Sequence, residues 1–247
     1  MKLPLLQPIC APDYQLREDC IDILQFSLTE LPLEATTLLN EEERVRANRF
    51  YFSRHRRRFT VARAMLRAIL AKYLSEQPEN LAFSYNKYGK PALDNSAQIE
   101  FNLSHSGDTA LLAVGKKFPL GIDLELFSAR PYEDIGKNLF SASEINVLAA
   151  QPDNLKPFVF FNIWAQKEAF IKAQGMGLSY PTQKFTVTAA PSISHDVYDE
   201  LHGGLWKITS FMPTVGCCGA LCYSPVVTTL RKIIINPDDF LKKKTLT

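Results

Sequence analysis

The same order of elements occurs twice along this chain: a long helix, then three short strands. Between Arg56 and Tyr73, the residues Phe59, Ala62, Leu66, Ile69 and Tyr73 fall at helical spacing and form one apolar stripe. Strands are expected after it at 81–85, 98–103 and 109–114, with turns at Gly89-Lys90-Pro91 and Ser106-Gly107-Asp108. The second series opens with a strand over GIDLEL (Gly121–Leu126). It continues with a short helix behind the capping-box pair Ser141 and Glu144, then a long helix from about Phe158 to Gln174 that Gly175 ends. Strands are expected at 184–188, 205–211 and 217–223, and the tail from Asp238 reads as frayed. A first strand at 20–28 and a helix started by Asn40 and Glu43 precede both series. No residue-level repeat accompanies this order. It predicts an α+β protein of two similar halves, 1–118 and 119–247, with a cleft where they meet.

Composition narrows the class. With 46% hydrophobic residues the chain can bury a substantial core, and 22% charged residues with a net charge of +2 do not announce a nucleic-acid binder. The five cysteines show no CxxC pair and read as reduced thiols of a cytosolic protein. Pro4 and Pro8 break the apolar run at the N-terminus, which argues against a secretion signal. No stretch has the apolar length needed to cross a bilayer. A soluble, cytoplasmic protein is expected.

The chemistry concentrates in acids. Asp123 and Glu125 lie two apart on an expected strand, so both point to one face, while Ile122 and Leu124 point to the other. Side by side they repel unless a cation lies between them. By itself the D-x-E pattern also fits a polar edge strand with two solvated acids. In the segment Trp164–Ala173 (WAQKEAFIKA), Trp164, Glu168 and Lys172 are spaced i, i+4, i+8 and share a helix face with Phe161. A surface Glu168–Lys172 ion pair is the bland explanation, but it does not require the two aromatics beside it. Three carboxylates with open positions suit magnesium, with Lys172 near a phosphate oxygen. The segment Phe101–Asp108 (FNLSHSGD) offers Ser104, His105 and Ser106 as hydrogen-bonding groups at a turn. Arg44, Arg46, Arg49, Arg54, Arg56, Arg57, Arg58, Arg63 and Arg67 form a basic cluster. Arg56, Arg63 and Arg67 share one helix face that is either solvated or a site for phosphate or an acidic protein.

Four segments in order, Tyr88–Pro91 (YGKP), Phe101–Gly107 (FNLSHSG), Gly121–Glu125 (GIDLE) and Trp164–Lys172 (WAQKEAFIK), resemble the 4'-phosphopantetheinyl transferases of the larger, Sfp-like type. The first helical region from Arg49 to Arg67 is similar too, and together the matches spread over roughly two-thirds of the chain. The resemblance implies two similar α/β subdomains, each a long helix on a small antiparallel sheet, related by pseudo-twofold symmetry with the active site between them. It implies coenzyme A as donor, an acidic carrier protein with a serine acceptor (acyl, peptidyl or aryl), and Mg2+. Carried over by position, Asp123, Glu125 and Glu168 match the metal ligands. Lys172 and His105 match residues on the pyrophosphate, Lys90 and Ser104 residues near the adenosine, and Arg46 a contact to the 3'-phosphate. Glu168, Lys172 and His105 are the expected catalytic residues, with Glu168 as metal ligand first and base toward the serine second. A second basic residue expected before Arg46 is replaced by Glu43. The basic first half and the apolar segment with Phe127 and Phe140 are candidate carrier contacts, and one chain is expected to hold a whole site, hence a monomer.

Two other readings compete. One is a different Mg-dependent nucleotide or pyrophosphate enzyme, which the lack of a P-loop disfavours. The other is a nucleic-acid-binding module using the basic helix, which leaves the ordered motifs unexplained.

Overall fold

The structure is a computed structural model that describes residues 14–129, 131–189 and 194–242. The N-terminal segment read above as lacking a secretion signal, apart from its last residues, lies outside the described residues, as do Cys10 and the last part of the tail. The strands are β1 (Cys20–Ser27), β2 (Phe83–Tyr85), β3 (Pro91–Leu93), β4 (Ile99–Ser106), β5 (Thr109–Lys116), β6 (Gly121–Leu126), β7 (His195–Tyr198), β8 (Leu205–Phe211), β9 (Cys217–Tyr223) and β10 (Thr229–Ile235). The helices are α1 (Glu41–Asn48), α2 (Ser53–Leu74), α3 (Tyr132–Leu139), α4 (Ala142–Ala149), α5 (Lys156–Gln174) and α6 (Pro237–Lys242). Both expected capping boxes form, at Asn40 with Glu43 and at Ser141 with Glu144.

Four layers result. One face of the sheet β10-β1-β5-β4 packs on α2, with Leu24, Phe26, Leu112 and Val114 under Ala62, Leu66 and Ile69. Its other face, through Ile21, Ile23, Leu111 and Ala113, meets Ile122, Leu124, Cys217 and Leu221 of the sheet β6-β9-β8-β7. The far face of that second sheet, with Cys218, Ala220 and Cys222, is covered by Ala165, Ala169 and Ala173 of α5. In β1, β5, β6 and β9 the period-two alternation therefore separates two packed faces, as a sheet buried on both sides requires.

The element that repeats is strand–helix–strand–strand. In the first half β1 pairs antiparallel with β5, and β5 with β4. In the second, β6 pairs antiparallel with β9, and β9 with β8. The position 118/119 falls in the passage from β5 to β6, but the chain later returns: β10 adds to β1 in parallel and extends the first sheet.

Three expectations need correction. Residues 184–188 are not a strand. Buried Lys167 donates to the carbonyls of Thr182 (2.7 Å) and Phe185 (2.8 Å), Gln166 donates to Thr188 O (2.8 Å), and Glu144 accepts from Val187 N (2.7 Å). Side chains of α5 and α4 satisfy the backbone groups that a neighbouring strand would otherwise take. The tail through Lys242 is not frayed but forms α6, with Leu241 buried. Phe140 is core rather than a protein contact: it is 1% exposed and packs on Phe160, with centroids 5.2 Å apart. Phe127 is half-buried and stacks on Phe161.

Candidate active site at the junction of two edge strands

β4 and β6 are edge strands of their sheets, and the site forms where these edges meet. Phe101 and Leu103 face the α2 core, so Asn102, Ser104 and Ser106 point the other way, toward β6. Asn102 Oδ1 accepts from Ile122 N (2.9 Å), Ser104 Oγ donates to Asp123 Oδ1 (2.9 Å), and Ser106 Oγ accepts from Leu126 N (3.1 Å). An edge that would expose unpaired N–H groups is thus closed by side chains of the facing strand. The alternating N-x-S-x-S pattern carried this signal; Ser104 and Ser106 are among the hydrogen-bonding groups expected from the sequence, and Asn102 is not. His105 lies in β4 itself, and the turn begins only at Gly107, whose φ of +59° favours glycine and where a β-carbon would also push the Leu126 side chain aside. Arg57 and Arg58 both donate to Asp108 at 2.9 Å and fix that turn to α2.

On β6, Asp123 and Glu125 oppose Ala220 and Cys218, and so face α5. The helix answers in register. Trp164 Nε1 donates to Glu125 Oε1 (2.9 Å), and Lys172 Nζ, two turns on, donates to Asp123 Oδ1 (2.5 Å) and Ser104 Oγ (3.0 Å). Glu168 sits between these anchors. The close approach needs Gly121, because a β-carbon there would lie 2.1 Å from Ala169 O and 2.3 Å from Ala173 N. Lys172 therefore pairs with Asp123 across the interface, not with Glu168 along the helix.

Burial is the main force lifting the Glu168 carboxyl to about 7; Asp123 and Glu125 add to it, while Lys172 opposes it. Asp123 is 3% exposed, and its Oδ2 has no hydrogen-bond partner. Among the described residues, no three carboxylate, imidazole or thiol groups converge closely enough to hold a metal as they stand. Still, an orphaned buried carboxylate oxygen beside two acids that repel is a donor set suited to a hard cation. Because Glu168 binds more protons in the folded chain than in the unfolded one between its ordinary 4.5 and about 7, stability falls as pH rises through that window. In EDTA, Glu168→Gln is expected to raise Tm over the parent at about pH 8 by several degrees, from at most about 3 kcal/mol of relieved charge burial. The gap narrows as pH is lowered toward 4.5; a gap independent of pH in a thermal melt series would refute the assignment.

His105 is pushed below the ordinary imidazole range by desolvation first, then by Lys172, Arg58 and His55. At neutral pH the ring therefore offers a hydrogen bond rather than a charge. His55 and Arg58, at the start of α2, are thus neighbours of the site that the motifs did not single out.

Lys90 is placed differently from its neighbours. Its Nζ donates to Leu120 O and Ala173 O, both at 3.1 Å, and Asn86 Nδ2 donates to Gly175 O at 2.7 Å. The β2–β3 hairpin is thereby docked on the C-terminus of α5, and desolvation lowers the Lys90 pKa. Arg46 is exposed, stacks over Phe59 at 5.3 Å, and lines a cleft of about 130 Å³ with Arg63 and Tyr85. The reading of Arg63 and Arg67 as a solvated or anion-binding face is corrected. They are 8% and 0% exposed, and both clasp buried Glu43, Arg67 Nε at 2.7 Å. Glu43 thus stands in for a basic residue because two arginines of α2 require it.

Comparison with known proteins gives the family. Residues 29–117 match the family model "4'-phosphopantetheinyl transferase, N-terminal", and residues 119–212 match that of the 4'-phosphopantetheinyl transferase superfamily. The chain is 37% identical over 196 residues to 4'-phosphopantetheinyl transferase HetI of Nostoc sp., covering 74% of this chain and 77% of that protein. It is 31% identical over 152 residues to 4'-phosphopantetheinyl transferase Sfp of Bacillus subtilis, with 61% and 66% covered. To the L-aminoadipate-semialdehyde dehydrogenase-phosphopantetheinyl transferase of Mus musculus it is 30% identical over 180 residues, with 66% and 58% covered. The two family models meet in the passage from β5 to β6 and together span most of the chain, and the HetI relative covers 74% of it at 37% identity: the chain belongs to the 4'-phosphopantetheinyl transferase superfamily.

Proposed function

We propose that this protein transfers the 4'-phosphopantetheine arm of coenzyme A to a serine of an apo carrier protein, releasing 3',5'-ADP, with Mg2+ as cofactor. The observation that carries the reading is the register of β6 against α5, which gathers Asp123, Glu125, Glu168 and Lys172 beside Ser104. Asp123, Glu125 and Glu168 would hold the metal, which when bound neutralises charge developing on the leaving pyrophosphate oxygen. The matching strand orders of the two sheets support a pseudo-twofold relation of the halves with the site between them.

In the reaction, the serine oxygen bonds to the phosphorus bearing the pantetheine arm, and the bond from that phosphorus to the bridging oxygen breaks. The electron pair leaves on 3',5'-ADP. Glu168, beside the β6 acids, is assigned to accept the serine proton. Lys172 and neutral His105 donate to phosphate oxygens, and Ser104 steadies both Lys172 and Asp123 from β4. Arg46 in its small cleft is assigned to the 3'-phosphate. Lys90 bears on the adenosine region by holding the β2–β3 hairpin against α5. The exposed cations Arg49, Arg54 and Arg56 suit an acidic carrier.

β4, β6 and α5 of one chain complete the site, which supports a monomer. No helix among the described residues is long and apolar enough to cross a membrane. Cys20, Cys217, Cys218 and Cys222 are free and buried, in keeping with a cytoplasmic protein.

Incubation with coenzyme A, Mg2+ and apo carrier proteins, followed by intact mass spectrometry, tests the reading. A pantetheine-arm mass gain on the carrier serine is expected, and its absence on several apo carriers would discard it.

A further inference from the structure

Lys172 is asked to serve two partners. The proposed chemistry gives its ammonium to a phosphate oxygen, yet in the structure Nζ lies 2.5 Å from Asp123 Oδ1 and 3.0 Å from Ser104 Oγ. A divalent cation on Asp123 and an ammonium on the same carboxylate compete directly, because each gains by neutralising one buried charge and like charges repel at that range. Asp123 Oδ2, buried and without a partner, shows that the ammonium satisfies only half of the carboxylate. Ser104 reaches both groups, so it can keep hold of Asp123 while Lys172 moves. The lysine side chain is 27% exposed against 5% for the aspartate, so the lysine is the partner with room to leave.

We propose that Lys172 is the internal counter-ion of the metal site, held on Asp123 until a phosphate-bearing ligand draws it away, so that pyrophosphate and divalent metal bind with positive coupling. The proposal rests on the pantetheinyl-transfer reading of the site. Metal alone must displace the ammonium from Asp123 with no other anion to receive it, and so binds weakly. Coenzyme A supplies that anion, draws the ammonium off Asp123 Oδ1 and raises metal affinity; by linkage, metal raises coenzyme affinity by the same factor. Lys172 is in this respect a positioning group, and its effect is readable without turnover.

Mn2+ binding, followed by the loss of the free-ion electron paramagnetic signal, provides the test. For Lys172→Met, Mn2+ alone is expected to bind about tenfold or more tightly than to the parent protein, and the further gain on adding coenzyme A shrinks. Arg58→Gln serves as the control, since it removes a positive charge near His105 from a residue paired with Asp108 rather than with the acids of β6. It is expected to change Mn2+ affinity by less than about threefold. In EDTA, Lys172→Met lowers Tm by leaving Asp123 unpaired, and Mn2+ restores it, which also reports that the variant folds. Equal or weaker Mn2+ binding by Lys172→Met, or equal tightening in both variants, overturns the proposal. A parent protein that loads carriers normally but shows no coupling defeats this inference alone. One that loads no carrier defeats the functional reading, whatever the Mn2+ result.

Discussion

Asp123→Ala is expected to cut transfer by about a thousandfold or more while the chain stays folded. The substitution removes the carboxylate that takes both Lys172 and Ser104, at 2.5 and 2.9 Å, and one of the three acids assigned to the metal. Breaking a buried ion pair from one side commonly costs about 3–5 kcal/mol, because the remaining charge is stranded. Here the cost should be smaller. Lys172 is 27% exposed and can turn to solvent or to Glu168, and the loss of Asp123 removes one of the charges that raise the Glu168 pKa. Carrier loading by intact mass, together with circular dichroism, separates the two effects. Retention of more than about a tenth of parental activity would remove Asp123 from the metal and from the mechanism.

The second large effect is structural. Gly121→Ala adds one methyl group where the nearest atoms are the backbone O of Ala169 at 2.1 Å and the backbone N of Ala173 at 2.3 Å. Backbone cannot rotate away as a side chain can, so β6 and α5 must separate. More than about 4 kcal/mol of stability should be lost, with a large fall in Tm or in soluble yield. The same separation draws Asp123 from Lys172, so any protein that does fold should have lost transfer as well. Gly136→Ala in α3 is the contrast: its β-carbon would meet only side-chain atoms, the nearest Phe140 Cδ2 at 3.3 Å, and alanine favours a helix. A change within about 1 kcal/mol is expected there, and equal Tm losses for the two variants would contradict the close-approach argument.

Much of the site was legible because it follows from period. Asp123 and Glu125 at i, i+2 and Trp164, Glu168 and Lys172 at i, i+4, i+8 name the facing groups of a strand and a helix before either is seen. The motif glycines serve different needs: Gly121 is required by space, whereas Gly89 and Gly107 have positive φ. Long-range partners were not legible. Nothing local tells that Glu43 is claimed by Arg63 and Arg67 of α2, some 20 residues on, nor that Lys90 will cap carbonyls of Leu120 and Ala173. Glu43 is a buried charge, and Lys90 a half-buried one; such burial is tolerated only once the distant partners are in place. The segment 184–188 misled for a related reason: a β-prone pattern was overridden when Lys167, Gln166 and Glu144 supplied the hydrogen bonds of a missing strand.

The sequence by itself determined the two long helices with most of their strands, both capping boxes, and which acids and lysine face each other across β6 and α5, because periodicity and capping act between residues close in the chain. Only the tertiary structure decided that β10 returns to the first sheet, that β4 closes the edge of β6 through Asn102, Ser104 and Ser106, and that Lys172 rests on Asp123 rather than Glu168. Those choices depend on which unpaired edges and buried charges come within reach of each other, and that is set by packing between segments up to about two hundred residues apart rather than by any local pattern.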